Sequence, residues 1–301
     1  MAISFTFFEV YQSVFTIKRV TVKDDFRDSS IWDCITHRPD DIVIASYSKS
    51  GTTLTQQIVN LLVNGHDNFE YLHDLSPWLE YTGAPLDEKI ELIEKLQNRR
   101  FLKSHLPFDA LPYYPEWRYI CLVRDGRDVA VSLLNHLHAI IPEIYLTSPL
   151  KLYNISSNFA EFWEGWLETG KPYWDFFEFI NSWWQVRNLP NVLLVHYADL
   201  IQNKPNWVEK IAKFLDIKVD AECQEMILHK SSLEYMRENS EKFEPRIFQK
   251  HQFIYKGTNG RWQNLLTQQQ IKHYDDMIAK KLGTACANWV KHGGALPIAC
   301  D

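Results

Sequence analysis

The feature that most constrains the fold is an alternation of short apolar runs with stretches of helical period. The runs, three to five residues long, occupy residues 42–45, 100–102, 119–123 and 192–195. In three stretches the apolar residues recur every three or four positions. The first begins near Thr52, and the other two span 87–98 and 206–215. Runs of this length are typical of buried strands, and the intervening period is typical of amphipathic helices. The alternation predicts an α/β fold with a central, mainly parallel sheet flanked by helices.

Composition favours a single globular domain over residues 1–301, because 46% of the residues are hydrophobic and no Pro, Gly or Ser-rich linker interrupts the chain. The formal net charge of −6 argues against a general nucleic-acid binder and favours a small-molecule partner. No run of about 18 apolar residues occurs, so we expect no membrane span. The five cysteines are scattered and lack metal-ligand spacing, which favours a reduced, cytoplasmic protein.

The segment 159–187 carries eleven aromatic residues. Aromatic side chains dominate packing energy in most folds, and much of this segment has a helical period. We therefore predict that most of these residues are helical core and that few contact a ligand.

The stretch "YSKSGTT" predicts an anion site. It follows the first apolar run and precedes a helix, so free backbone N–H groups from about Ser50 to Thr53 point the same way as the helix dipole. Gly51 allows close backbone approach, the hydroxyl of Thr52 adds a donor, and Lys49 adds a mobile positive charge. The alternative is an ordinary turn with a threonine helix cap. The nucleotide pattern GxxxxGK[ST] is not matched, because Lys49 precedes Gly51.

Two further strand ends carry polar groups. "KSHLP" places Lys103 and His105 after the second run, and a histidine beside a phosphate cradle is a candidate general base. Arg124 follows the third run, with Ser132 two helical turns later, and its planar fork suits a terminal phosphate. Taken singly, His105 is more typical of an ordinary loop histidine, and Arg124 is more typical of a surface ion pair.

Together these motifs resemble the cytosolic sulfotransferase family, which transfers a sulfuryl group from 3′-phosphoadenosine 5′-phosphosulfate (PAPS) to small acceptors. "YSKSGTT" is similar to a YPKSGTT-like loop, "KSHLP" to a KTHLP-like segment, and Arg124 to Ser132 to an R-x7-S unit. A late "KGTNGRW" at 256–262 is similar to KGxxGxW. The resemblance runs from about residue 38 to about residue 282, and it implies one sulfotransferase domain with a P-loop-like phosphosulfate-binding loop.

The resemblance also implies roles for individual residues. His105 takes the acceptor proton in an in-line transfer that releases PAP, Lys49 steadies the bridging oxygen, and Lys103 stabilises the sulfuryl oxygens. No metal is required. The positions implied to bind PAPS are Lys49, Ser50, Gly51, Thr52, Thr53, Leu54, Arg124, Ser132, Tyr197, Ser231, Leu233, Tyr255, Lys256 and Gly257.

Several positions depart from the family pattern. Leu54 and Leu233 stand where the family has aromatic residues beside the adenine, and Tyr255 replaces an arginine that contacts the 3′-phosphate. We therefore expect weaker PAPS binding than is usual for the family, unless Trp262 or Tyr255 compensates. The acid after the second glycine of the late motif is also missing, with Arg261 in its place.

The family's dimer signature KxxxTVxxxE corresponds here to "QNLLTQQQIK", which retains Thr267 only. We therefore expect a monomer or a dimer of another kind.

The acceptor group is expected to be a hydroxyl or amine of a small molecule, and its site is assigned to Trp78, Glu80 and His136. The resemblance implies that Trp78 gates the pocket and that His136 stands where many phenol-specific members carry Phe, whereas Glu80 is assigned because it lies nearby in sequence. Tyr81 and His138 lie nearby in sequence, and this group favours a polar or cationic acceptor. The alternative is that these side chains pack beneath a surface segment.

Two other functions stay open on sequence alone. One is a P-loop kinase or nucleotide hydrolase, which the position of Lys49 disfavours. The other is a nucleotide-binding protein that has lost turnover, which the substitutions at Leu54, Leu233 and Tyr255 favour and the retained His105 opposes.

Overall fold

The computed structural model describes residues 18–153, 155–254 and 257–297. Within these ranges one parallel sheet is built from β1 Ile42–Ser46, β2 Phe101–Ser104, β3 Arg118–Val123 and β4 Val192–His196. The strand order is β2-β1-β3-β4. Each predicted strand is present, and the prediction of an α/β fold around a parallel sheet is confirmed.

The three predicted helical stretches are helices in the structure, and further helices are present in the described ranges. The α-helices are α1 Thr52–Asn64, α2 Leu72–Leu75, α3 Leu86–Lys95, α4 Gly126–His138, α5 Pro142–Thr147, α6 Phe159–Thr169, α7 Phe176–Gln185, α8 Tyr197–Gln202, α9 Lys204–Phe214, α10 Ala221–Lys230, α11 Leu233–Glu238, α12 Ser240–Phe243 and α13 Gln268–His292. Short 3-10 helices occupy Ser29–Cys34, Phe108–Ala110, Pro149–Leu152 and Arg261–Asn264. None of the helices in these ranges has the length and apolar character needed to cross a membrane.

Alternate residues of the strands pack into two cores, one on each side of the sheet. Along β1, Val43 and Ala45 belong to one core, whereas Ile42 and Ile44 belong to the other. Apolar residues of α4, α6, α7 and α13 complete the first core, and those of α1, α8, α9 and α10 complete the second. The sheet is therefore the middle of three layers, which explains why every residue of β1 is buried.

The strand order determines where a ligand can bind. β1 lies between β2 and β3, so the chain crosses to one neighbour after β1 and later returns to the other. Loops diverge at such a reversal and leave a crevice beyond the carboxyl ends of the strands. The segments after β1, β2 and β3 begin at Tyr47, His105 and Arg124 and all face this crevice edge.

Candidate active site

A cavity of about 1180 Å³ opens at this edge of the sheet. The predicted site residues that line it are Lys49, Gly51, Thr52, Thr53, Leu54, Trp78, Lys103, His105, Arg124, Ser132, His136, Tyr197, Ser231, Leu233 and Gly257. Ser50 is fully buried beside this lining, whereas Glu80 lies behind it. Tyr255 and Lys256 lie outside the described residues. The fold thus brings residues separated by up to 208 positions, from Lys49 to Gly257, to one cavity.

Gly51 is the residue at which the first loop turns into α1. Its φ of 106° is left-handed, and it caps the helix without a side chain. A Cβ atom added at Gly51 would lie 2.6 Å from Cδ2 of Tyr197, closer than carbon atoms pack. Both the backbone and the Tyr197 ring therefore require glycine here. The first N–H groups of α1 have no partner within the helix and, with the helix dipole, favour an anion.

His105 is held by the end of β1. Its Nδ1 lies 2.6 Å from the carbonyl oxygen of Ser46, and only a protonated Nδ1 can donate to a carbonyl, so Nε2 is the nitrogen without a proton. Burial lowers the pKa of His105 well below its ordinary value, and the charge of Lys103 lowers it further. The ring is therefore neutral at pH 7, and its Nε2 can accept a proton.

Glu80 has a different role from the predicted one. Its carboxylate is fully buried, and Oε1 accepts from Trp78 Nε1 at 2.6 Å, from Ser104 Oγ at 3.1 Å and from the backbone N–H of His105. Oε2 accepts from Trp32 Nε1 at 3.0 Å. The predicted contact of Glu80 with the acceptor has no support from the structure, because Glu80 does not line the cavity and both of its oxygens accept hydrogen bonds inside the protein. Glu80 instead fixes Trp78 and the backbone of His105.

Two lysines place positive charge beside His105. Burial, and after it the positive charge of Lys103, lowers the pKa of Lys49 to about 7. Burial likewise lowers the pKa of Lys103 to about 8. Each ammonium also lies over an aromatic ring, Lys49 at 4.3 Å from the centroid of Phe253 and Lys103 at 5.1 Å from that of Trp78. An anion bound here would raise both pKa values by stabilising the charged forms.

Arg124 ties the loop after β1 to the segment that follows residue 256. Its Nη1 donates to the carbonyl oxygen of Lys49 at 3.2 Å, and its Nη2 to that of Thr258 at 2.9 Å. Its Nε donates to Oδ1 of Asn259 at 3.1 Å, and its guanidinium lies 4.4 Å from the centroid of Tyr197. Ser132 lines the cavity at the same end. Arg124 therefore holds two loops together at this end of the cavity and also supplies a positive charge there.

Two buried serine hydroxyls fit a polar ligand. Ser50 Oγ and Ser231 Oγ are buried, and neither has a hydrogen-bond partner among the described residues. A buried hydroxyl without a partner is costly, which favours a ligand that supplies acceptor atoms. Leu54 and Leu233 present aliphatic surface to the cavity. Trp262 does not line the cavity, so it is not placed to stack on a nucleotide bound there. Its ring centroid lies 3.8 Å from Cζ of Arg127 instead.

The end of the cavity beyond His105 is largely aromatic. Trp78 stacks on Tyr81 at a centroid distance of 4.7 Å, and both line the cavity with His136. Phe26, Tyr173, Trp174, Phe248 and Phe253 complete this wall. His138, in contrast, is exposed on α4 and does not line the cavity. Glu80 and His138, two of the residues on which the prediction of a polar or cationic acceptor was based, therefore do not line the cavity.

The structure agrees with the prediction that most residues of the aromatic-rich segment are core and few face a ligand. α6 and α7 bury Trp163, Trp166 and Trp183 almost completely, as predicted for core residues. Tyr173 and Trp174, which lie between the two helices, line the cavity instead. Pro172 precedes them, and both residues lie outside the two helices, although Trp174 is also buried in the first core.

Comparison with known proteins identifies relatives of this architecture. The family described as "Sulfotransferase domain" matches residues 39–285. Sulfotransferase 1B1 of Mus musculus is 32% identical over 260 residues, which cover 81% of this chain and 83% of the relative. The glycolipid sulfotransferase of Mycobacterium bovis is 28% identical over 310 residues, which cover 91% of this chain and 95% of the relative.

Solved structures agree with this assignment. Retinol dehydratase in complex with androsterone and inactive cofactor PAP has a TM-score of 0.67 and 27% identity, with coverage of 84% of this chain and 83% of that chain. Mouse sulfotransferase SULT7A1 complexed with PAP has a TM-score of 0.70 and 23% identity, with coverage of 87% and 90%. The second likeness shows the shared fold.

Proposed function

Since this chain belongs to the sulfotransferase family, we propose that His105, Lys49 and Lys103 perform the chemistry of its PAPS-dependent sulfuryl transfer. The enzyme moves a sulfuryl group from PAPS to a small-molecule acceptor. The observation that supports the assignment of His105 is its hydrogen bond to the carbonyl oxygen of Ser46, which leaves Nε2 free of a proton. A buried neutral histidine in this tautomer is a general base that needs no prior deprotonation.

The two lysines supply positive charge on the same side of the cavity as His105. Lys49 follows β1 and Lys103 is on β2, so both are fixed by neighbouring strands of the sheet. Charge fixed in advance stabilises the negative charge that develops on transfer without further reorganisation. We assign Lys49 to the bridging oxygen and Lys103 to the sulfuryl oxygens, as the family resemblance implies.

The residues present fit the nucleotide. When bound, PAPS supplies an activated sulfuryl group, and PAP remains after transfer. The partnerless hydroxyls of Ser50 and Ser231 and the space kept open by Gly51 are the features that support this fit. The N-terminus of α1 would hold the 5′-phosphosulfate, Arg124 and Ser132 the 3′-phosphate, and Leu54 with Leu233 the adenine.

For the acceptor we propose a neutral, largely apolar alcohol or phenol. The wall beyond His105 is built from aromatic rings, which favour apolar and flat surfaces. A cationic acceptor would meet the charges of Lys49 and Lys103, and Glu80 does not line the cavity, where the described acidic side chains are Asp25 and Glu88. The presence of androsterone in the retinol dehydratase complex supports this class.

The alternatives have less support. None of the relatives reported above is a kinase or a nucleotide hydrolase, and the sulfotransferase domain matches most of the chain. A protein that binds the nucleotide without turnover would not need His105 aligned by Ser46 and Glu80. The monomer or dimer of another kind and the cytoplasmic location, both predicted from the sequence, remain proposals, which sedimentation and cell fractionation would test.

Ligand-dependent unfolding and transfer assays test the proposed function. PAP is expected to raise the unfolding temperature, and ATP with Mg²⁺ is expected to leave it unchanged, because only a ligand of the folded state stabilises it. With PAPS, neutral alcohols and phenols should be sulfated in preference to polar amines. Stabilisation by ATP with Mg²⁺ alone would contradict the proposal.

A histidine pair tests the base. His105→Ala should lower the transfer rate by about a hundredfold to ten-thousandfold and leave PAP affinity unchanged. The matched control is His138→Ala, which removes an exposed histidine outside the cavity and should change neither quantity. Full activity of His105→Ala would reject His105 as the base.

A further inference from the structure

The end of the cavity near Arg124 carries a second arginine that the family pattern does not provide. Arg261 lines the cavity, together with Arg124, Gly257 and Thr258. The sequence places Arg261 where the family has an acid, and it places the neutral Tyr255 where the family has an arginine for the 3′-phosphate. The chain therefore loses one positive charge at position 255, and at position 261 it has a positive charge in place of a negative one.

The backbone of Arg261 is fixed by a buried carboxylate on α4. Asp128 is 2% exposed, and its Oδ2 accepts from the N–H of Gly260 at 2.9 Å while its Oδ1 accepts from the N–H of Arg261 at 3.2 Å. Gly260 has a φ of 80° and begins the short 3-10 helix at Arg261. Arg261 is therefore anchored to the same helix that carries Ser132 at the cavity wall.

The same segment is tied to Arg124. The guanidinium of Arg124 donates to Thr258 and Asn259, which shortly precede Arg261 in the chain. These bonds and those of Asp128 connect residues 258–261 to the end of β3 and the start of α4. Arg124 and Arg261 therefore line the cavity from segments that are hydrogen-bonded to each other. A ligand group placed between them would meet a preorganised site, which reduces the entropy lost on binding.

The electrostatics at this end fit an anion. Burial is the main cause that lowers the pKa of Lys49 and of Arg124, and the positive charge of Arg261 adds to it in both cases. The hydrogen bonds of the nearby carboxylates go to other groups, because Asp125 pairs with Arg127 and Asp128 accepts the two backbone N–H groups, while their charges still act on Arg124. Mutually repelling cations around a cavity are stabilised when an anion binds between them.

The geometry points to Arg261 as a ligand of the 3′-phosphate of PAPS and PAP, serving in place of the arginine that is absent at position 255. This inference rests on the proposed function and deepens it. Because a planar guanidinium can donate two parallel hydrogen bonds to a phosphate, Arg261 would restore the charge and the geometry that Tyr255 cannot supply.

A comparison of two nucleotides tests the inference. Dissociation constants for PAP and for 5′-AMP, which lacks the 3′-phosphate, are measured by calorimetry for the wild type, Arg261→Ala and Arg261→Lys. Arg261→Ala should weaken PAP binding by about tenfold to a hundredfold and leave 5′-AMP binding unchanged, because one charge-assisted contact is lost. Arg261→Lys should lie between, since it keeps the charge without the fork.

Arg246→Ala is the matched control, because Arg246 also lines the cavity but lies over Tyr71 at another part of the wall. It should leave PAP affinity unchanged. Equal losses for PAP and 5′-AMP in Arg261→Ala, or no loss for PAP, would overturn the inference while the proposed function stands. Failure of the wild type to bind PAP would overturn the proposed function and this inference with it.

Discussion

The Nζ atom of Lys49 lies 3.1 Å from Nδ1 of His136. Burial lowers the pKa of His136 well below its ordinary value, so its ring is neutral and accepts a hydrogen bond from the lysine ammonium. The pKa of Lys49 is itself lowered to about 7. Before PAPS binds, the amine of Lys49, which we propose to act on the bridging oxygen, therefore donates to the neutral ring of His136. At pH 7 this amine is only partly protonated.

This relationship predicts an unusual pH dependence. A lysine with a lowered pKa loses its proton at lower pH, so kcat/KM for PAPS should fall as pH rises through about 7. His105 stays neutral and basic down to a pH well below its ordinary pKa, so the acid limb should lie far to the acid side. Lys49→Arg, which cannot deprotonate, should move the basic limb from about 7 to about 8, where Lys103 loses its proton. A profile that rises between about pH 6 and 8 in the wild type would contradict this prediction.

A pair of glycines tests the phosphate loop. Gly51→Ala and Gly65→Ala both place a side chain in left-handed backbone, with φ values of 106° and 73°, at a cost of about 1–2 kcal/mol. A Cβ at Gly65 meets nothing within 4 Å, whereas a Cβ at Gly51 meets the Tyr197 ring. Only Gly51→Ala should therefore lower PAP affinity, by about tenfold or more, because Tyr197 and Arg124 must shift. Equal PAP affinities in the two variants would disprove this role of Gly51.

Much of the fold and of the nucleotide end could be predicted from the sequence, because both depend on local patterns. Apolar runs and helical periods are local, and polar residues at the ends of parallel strands must meet at one edge. The role of Glu80 could not be predicted in this way, because its partners Trp32 and Ser104 lie 48 and 24 positions away. The same is true of Trp174, whose place in the cavity depends on how α6 and α7 pack.

The buried carboxylate of Glu80 should be needed for stability as well as activity. Glu80→Gln replaces one acceptor oxygen by an NH₂ group that faces a donor, so the free energy of unfolding should fall by about 1–3 kcal/mol. Denaturant unfolding measures this loss, and transfer rates should fall because the backbone of His105 loses its fixed acceptor. The control Glu88→Gln removes an exposed carboxylate at the cavity wall and should change neither quantity. A change in acceptor KM alone for Glu80→Gln would instead support direct contact with the acceptor.

The aliphatic surface proposed to contact the adenine predicts that an added aromatic ring will raise PAP affinity. Leu54 and Leu233 both line the cavity, and neither side chain offers a ring to a base. Stacking on an aromatic side chain is worth about 1–3 kcal/mol per base, so Leu54→Trp should strengthen PAP binding by about fivefold or more. Leu92→Trp, which adds the same ring at another part of the cavity wall, should leave PAP affinity unchanged. Calorimetric titration with PAP distinguishes the two, and an unchanged dissociation constant for Leu54→Trp would mean that the adenine does not lie against this residue.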